Sequence, residues 1–230
     1  MKTIGLIGGM SWESTITYYQ ILNTLVREKI GSFHSAKLIL FSVDFAEIEG
    51  FQTTNQWHEA GQLLADAAKS LEAAGADFLV LCTNTLHKVS DQITASTHLP
   101  FIHIADALIE EIHRQGYKRV GLLGTKYTMG ESFCQDMLRK AGIEVLVPNL
   151  EDQNTVNTVI FNELCSGNIE KQSRDSYRSI IHNLVADGAQ AIVLGCTEIG
   201  LLITQEDLPE IPLLDIVQLH ARKAFEFALE

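Results

Sequence analysis

The sequence predicts an α/β fold of two pseudo-symmetric, small, doubly wound parallel-sheet domains, with any ligand site in the cleft between them. Three observations carry this. Short apolar runs rich in Ile, Val and Leu alternate with longer stretches of helical period, as parallel strands and crossover helices require. Three segments of the first part recur in the second, in the same order and at nearly equal offsets. A turn containing glycine closes the first strand of each copy, Gly8-Gly9-Met10-Ser11 in one and Gly124-Thr125-Lys126-Tyr127-Thr128 in the other.

The elements follow from the repeat. Lys2 to Gly9 recurs as Lys118 to Thr125, Gly75 to Thr85 as Gly188 to Glu198, and Pro100 to Ile104 as Pro212 to Ile216. Strands are therefore expected near residues 2–8, 37–43, 77–83 and 101–103 in the first copy, and 119–124, 144–147, 190–196 and 212–214 in the second. Pro100 and Pro212 stand at equivalent places near the end of each copy. The closing strand and helix of one copy are thus expected to pack on the other, and a C-terminal helix at about 216–229 to return to the first. The expected domains are residues 1–98 with 209–230, and residues 99–208.

Composition narrows the partner. The net charge of −12 opposes nucleic acid and anionic membrane surfaces, which need clustered Lys and Arg. No apolar run approaches the ~18 residues that span a bilayer. The apolar N-terminal stretch ends at Ser11-Trp12-Glu13 without a cleavage site, so a cytoplasmic protein is expected. Cys82, Cys134, Cys165 and Cys196 form no C-x-x-C pair and no zinc-type spacing with His, which predicts no metal site and reduced thiols. Neither glycine turn is a G-x-G-x-x-G fingerprint or a P-loop, which leaves a nucleotide cofactor without support.

The repeat also selects residues. It aligns Cys82 with Gly195, Thr83 with Cys196, Asn84 with Thr197 and Thr85 with Glu198. Side chains alternate along a strand, so if Cys196 faces the site, Thr83 does too and Cys82 packs beneath. Both segments lead into helix starts, whose free N–H groups suit an anion and are expected to lower the pKa of a nearby thiol. Met10, Ser11, Thr125 and Thr128 in the two glycine turns, with Asn84, Thr85, Thr197 and Glu198, complete a candidate pocket suited to a small dicarboxylate. Cys134, among Phe133, Met137 and Leu138, reads as a core residue. His87, His103 and His220 read as hydrogen-bonded structural residues.

The motifs Gly8-Gly9-Met10-Ser11-Trp12-Glu13-Ser14-Thr15, Ser42-Val43-Asp44-Phe45, Cys82-Thr83-Asn84-Thr85-Leu86-His87-Lys88, His103-Ile104-Ala105-Asp106 and Gly195-Cys196-Thr197-Glu198-Ile199 together resemble the aspartate/glutamate racemase family. The resemblance runs over essentially the whole chain. It implies an enzyme of two small α/β domains that needs no cofactor and assembles as a homodimer. The family pattern sets one cysteine on each side of the substrate's α-carbon, in a C-N-T and a G-C-T motif. Here Cys196 matches the second, while Thr83 stands where C-N-T has its cysteine. Cys165 stands where many members carry a carboxylate-binding lysine, and Gln52 lies in the segment where others carry a substrate-contacting arginine. With Thr83, this makes the chain similar to a branch that favours L-aspartate and L-glutamate.

Removing an α-proton needs a base on one face, and inversion needs an acid on the other. A thiol can take either role, and a threonine hydroxyl can donate a proton or hold a water that does. Cys196 is accordingly assigned to the L face and Thr83 to the opposite one. Two alternatives stand beside this reading: another enzyme of the same fold, such as an isomerase, hydantoin racemase or decarboxylase, and a non-catalytic dicarboxylate-binding protein.

Overall fold

In a computed structural model of the chain, the described residues are 1–130 and 135–230, together with the backbone of 132–134. The chain divides into two compact units, residues 1–104 with 220–230, and residues 105–219.

The first unit opens with β1 (Ile4–Gly8), buried at every position. Helix α1 (Trp12–Ile30) starts where the Ser11 side chain accepts from the Ser14 N–H, has Glu13 in its first turn and Arg27 and Lys29 in its last, and ends at Gly31 with φ 83°. Its buried Ser14, Thr15, Tyr18, Leu22 and Val26 recur at helical spacing, which is the stripe that sits on the sheet. Then come β2 (Leu38–Ser42), α2 (Phe45–Thr53), α3 (Trp57–Ala73), β3 (Phe78–Leu81), a 3-10 turn (Thr85–Val89), α4 (Ser90–Ala95) and β4 (Phe101–Ile102). The sheet is parallel, in the order β2-β1-β3-β4.

The second unit repeats the plan. After α5 (Ile104–Gln115) come β5 (Arg119–Leu123), α6 (Lys126–Gly130), α7 (Ser132–Lys140), β6 (Glu144–Leu146), α8 (Leu150–Asn162), α9 (Lys171–Ala186), β7 (Ala191–Leu194), α10 (Ile199–Leu202), β8 (Leu213–Asp215) and α11 (Ile216–Leu229). Its sheet order, β6-β5-β7-β8, is the order of the first with each strand replaced by its counterpart. Each unit has its own apolar core, one around Ile7, Leu64, Leu79 and Leu81, the other around Leu123, Ile160, Tyr177 and Ile192.

The unit boundaries differ from those expected. Phe101 pairs with Leu79, and Leu213 with Ile192, so each closing strand stays in its own sheet and only the helix after it passes on. The boundaries therefore move from 98 to 104 and from 208 to 219. Helix α11 lies mainly in the first unit, where the Lys2 N–H donates to Ala228 and Phe227 packs edge-on against Phe78. Cys134, with Phe133, lies outside the residues whose side chains are described.

Two glycines let a helix approach the sheet at equivalent places. A Cβ on Gly8 would stand 2.5 Å from Thr15 Cγ2, and one on Gly124 would stand 2.8 Å from Thr128 Cβ. Both glycines end the first strand of their copy and leave room for a threonine at the start of the next helix.

Candidate active site

In the first unit, β3 ends at Leu81, where Leu81 pairs with Ile7, and the Cys82 N–H then donates to the Ile7 carbonyl at 2.9 Å. In the second, Leu194 pairs with Leu123, and the Gly195 N–H donates to the Leu123 carbonyl at 2.7 Å. The register itself thus makes Cys82 the counterpart of Gly195, and Thr83 the counterpart of Cys196. Both strands are shorter than expected, but the ladder bond at Cys82 carries the alternation one residue past the strand. Cys82 is fully buried, and burial pushes its thiol pKa far up, as expected of an inert core thiol.

Around Thr83, the Ser14 hydroxyl donates to the Cys82 carbonyl at 3.3 Å, and His87 Nδ1 stands 2.8 Å from the Thr83 carbonyl. Thr83, Asn84 and Thr85 are all buried, although polar. Ser11, at the start of α1, is buried too, and Ser14 links that turn to the strand-end loop. Met10 packs in the apolar cluster of the first unit with Ile48 and Leu86. Gln52 is buried in α2.

In the second unit, one carboxylate organises the loop. Cys196 Sγ donates to Glu198 Oε2 at 2.9 Å, and the Thr197 hydroxyl donates to the same oxygen at 2.8 Å. Thr125 and Thr128 are joined through their hydroxyls at 3.3 Å, and a Cβ on Gly195 would stand 3.4 Å from Thr128 Cγ2, which sets this turn beside the Gly195-Cys196 segment. Cys165 packs against the apolar cluster that includes Cys196 and Tyr177.

The expected depression of the Cys196 pKa is not found. Burial, the Glu198 charge and the bond given to Glu198 push the thiol well above its ordinary value, against a smaller opposing backbone contribution at Glu198. The helix it precedes, α10, has four residues and little dipole to offer. These surroundings favour the neutral thiol of Cys196, hydrogen-bonded to Glu198.

The residues thus fall into two sets, one in each unit. Met10, Ser11, Gln52, Thr83, Asn84 and Thr85 belong to the first unit, and Thr125, Thr128, Cys165, Cys196, Thr197 and Glu198 to the second. His87 is hydrogen-bonded, as expected, but its link to Thr83 was not foreseen: its spacing of four residues from Thr83 lets its ring reach back to the Thr83 carbonyl. Tyr177, buried near Cys196, was not singled out, being indistinguishable in sequence from any apolar helix position.

The Asp/Glu/Hydantoin racemase family model matches residues 7–224. The chain belongs to the Asp/Glu/hydantoin racemase family. It is 51% identical to a Yersinia pestis protein whose crystal structure carries a provisional Asp/Glu racemase assignment, with both chains fully covered and a TM-score of 0.92. It is 38% identical to PH1733, an aspartate racemase homologue from Pyrococcus horikoshii OT3, again with both chains fully covered and a TM-score of 0.87. Among curated relatives it is 27% identical to the broad specificity amino-acid racemase RacX of Bacillus subtilis (strain 168), over 68% of this chain and 67% of that one. Among the described residues of this racemase-family chain, no helix is long and apolar enough to cross a membrane.

Proposed function

We propose that the chain is an amino-acid racemase acting on L-aspartate and/or L-glutamate without a cofactor, by proton transfer on both faces of the α-carbon. The observation that carries the reading is the equivalence of Thr83 and Cys196, at matching ladder positions past β3 and β7, in a member of this family. Cys196 serves the L face. Its thiol proton has an acceptor in place at Glu198, so the thiolate forms by a shift of that proton along a hydrogen bond with an S···O separation of 2.9 Å rather than by loss to bulk water. The sulfur then takes the substrate's α-proton.

Thr83 serves the opposite face as a proton donor, directly or through a water it holds. A hydroxyl is a poor base, so abstraction from the D enantiomer is the slow direction of exchange. Backbone N–H groups of the strand-end loops, with Ser11, Asn84, Thr85, Thr125, Thr128 and Thr197, hold the carboxylates. Gln52 and Cys165 occupy places where relatives with arginine and lysine would add charge, and Met10 supplies an apolar wall.

The likeness to an aspartate racemase homologue supports a dicarboxylic substrate. The likeness to RacX supports a second reading, in which other amino acids are accepted as well. We place the protein in the cytoplasm as a homodimer. Light scattering that returned only the 25.5 kDa mass of one chain would contradict the dimer.

Proton NMR in deuterated buffer tests the activity. L-aspartate or L-glutamate is expected to lose its α-proton signal, with no added pyridoxal phosphate, metal or nucleotide. Saturable binding without exchange would instead make the chain a dicarboxylate-binding protein.

A further inference from the structure

The first unit holds a cluster of three imidazoles. The ring of His87 is centred 4.6 Å from that of His103 and 5.7 Å from that of His220. His87 and His220 are fully or nearly fully buried, and each has both ring nitrogens engaged. His87 Nδ1 faces the Thr83 carbonyl at 2.8 Å, while its Nε2 faces the Ile104 N–H at 3.2 Å. A carbonyl on one side and an amide donor on the other admit one state: a neutral ring that donates from Nδ1 and accepts at Nε2. His220 is the reverse tautomer. Its Nε2 donates to the Ile102 carbonyl at 2.8 Å, and its Nδ1 accepts from the Tyr18 hydroxyl at 2.7 Å.

These bonds restrain Thr83 in a specific way. The Cys82 carbonyl belongs to the peptide plane before Thr83, and the Thr83 carbonyl to the plane after it. His87 holds the second plane, and the Ser14 hydroxyl, shared between the Ser11 carbonyl at 3.2 Å and the Cys82 carbonyl at 3.3 Å, borders the first. A peptide unit is rigid, so the short His87 bond restrains the plane after Thr83, and with the Ser14 hydroxyl against the plane before it, limits the direction of the Thr83 Cα–Cβ bond. The other face of His87 grips Ile104, the last residue of the first unit before the chain passes to the second, and the chain returns at His220. The same network therefore reaches the loop bearing Thr83 and both points of passage.

We propose that His87 is a positioning residue for the proton transfer assigned to Thr83, acting through the Thr83 carbonyl. The proposal rests on the reading of Thr83 given above. In that scheme the α-proton of an L substrate goes to the Cys196 sulfur. The carbanion then receives a proton either back from Cys196, after the thiol has exchanged with solvent, giving exchange without inversion, or from the Thr83 hydroxyl or its water, which regains a proton from solvent, giving the D product. The ratio of inversion to exchange isolates the Thr83 step, and a displacement of ~1 Å in a transferring group can lower its rate by about 10²-fold.

Two near-isosteric variants divide the functions of the ring. His87→Asn keeps a donor at the Nδ1 position, toward Thr83; His87→Gln keeps a partner at the Nε2 position, toward Ile104. With L substrate in deuterated buffer, His87→Gln is expected to lower the ratio of inversion to exchange by about tenfold or more while exchange stays within about threefold of wild type. His87→Asn is expected to restore the ratio. Nitrogen-15 NMR of the unmutated protein should find His87 protonated at Nδ1, a measurement that needs no variant to fold.

A parallel fall of exchange and inversion in His87→Gln would overturn the proposal, as would an unchanged ratio or an Nε2-protonated ring. Thr83→Val separates this from failure of the underlying reading. If it abolishes inversion while His87→Gln leaves the ratio intact, only the role of His87 is lost; if it leaves inversion intact, the assignment of Thr83 itself falls.

Discussion

At Cys196 the thiol is hydrogen-bonded to the Glu198 side chain at 2.9 Å, which on the proposed mechanism receives its proton. Glu198 has two opposing effects on the thiol. Its negative charge raises the Cys196 pKa, yet its carboxylate is the immediate acceptor of the thiol proton. Glu198→Gln should separate them. Removing the charge should lower the thiol pKa, so alkylation of Cys196 by iodoacetamide should move to lower pH, while α-proton exchange from L substrate should fall by about tenfold or more for want of the acceptor. An alkylation profile moved to higher pH would show that the carboxylate does not set the thiol's charge. The pairing with Glu198 was legible in the sequence only as proximity, because the bond depends on how the chain turns after Gly195. The sign of the thiol shift was misread for a related reason: a helix start was expected to govern it, whereas burial and a neighbouring carboxylate do.

Among the elements, the strands were the most legible. Apart from the half-buried Arg119 that opens β5, β1, β3, β5 and β7 are buried runs of Ile, Val, Leu, Phe, Ala and Gly, and their copies in the two units match closely. Their ends were less so, because a strand stops where its ladder partner stops and the sequence does not state the partner. The closing strands show this: Phe101–Ile102 and Leu213–Asp215 remained with their own sheets, where the prolines before them suggested exchange. The glycine at the end of β5 makes a prediction at this scale. In Gly124→Ala the new Cβ meets Thr128 Cβ at 2.8 Å, a side chain that is fully buried and cannot swing away. Urea unfolding should record a loss of about 1–3 kcal/mol, as overpacking a tight contact does. A midpoint equal to wild type would mean that the Thr125-Lys126-Tyr127-Thr128 turn yields freely.

For the molecule as a whole, the duplication was visible in the chain, but the histidine network was not, because its members come from positions 87, 103 and 220. That network makes stability depend on pH. Burial lowers the pKa of His220 from 6.5 to about 4 and holds that of His87 well below its ordinary value. Above pH 6.5 both rings are neutral in folded and unfolded chains alike, and their contribution to stability is fully present. As the pH falls from 6.5 toward 4 the unfolded chain takes up protons that the folded one refuses, and stability is lost. His220 alone accounts for about 3 kcal/mol over that window, from its drop to about 4, and His87 adds in the same direction. The denaturant midpoint should therefore fall steeply over this range, and His220→Gln, less stable at neutral pH, should fall less steeply. Parallel slopes for the two proteins would place the acid sensitivity elsewhere.

The assignment of Cys196 and Thr83 to opposite faces of one α-carbon, as proposed above, can be checked in one protein. It is tested most directly by Thr83→Cys combined with Cys196→Ala, with each enantiomer of aspartate and glutamate followed by proton NMR in deuterated buffer. The double variant carries a thiol only at the first of the two equivalent positions, so it should exchange the D α-proton and not the L. Thr83→Cys alone should exchange both and racemise faster than wild type, in both directions together, because the equilibrium constant is unity. Exchange of the L α-proton by the double variant would contradict the assignment of the two residues to two faces.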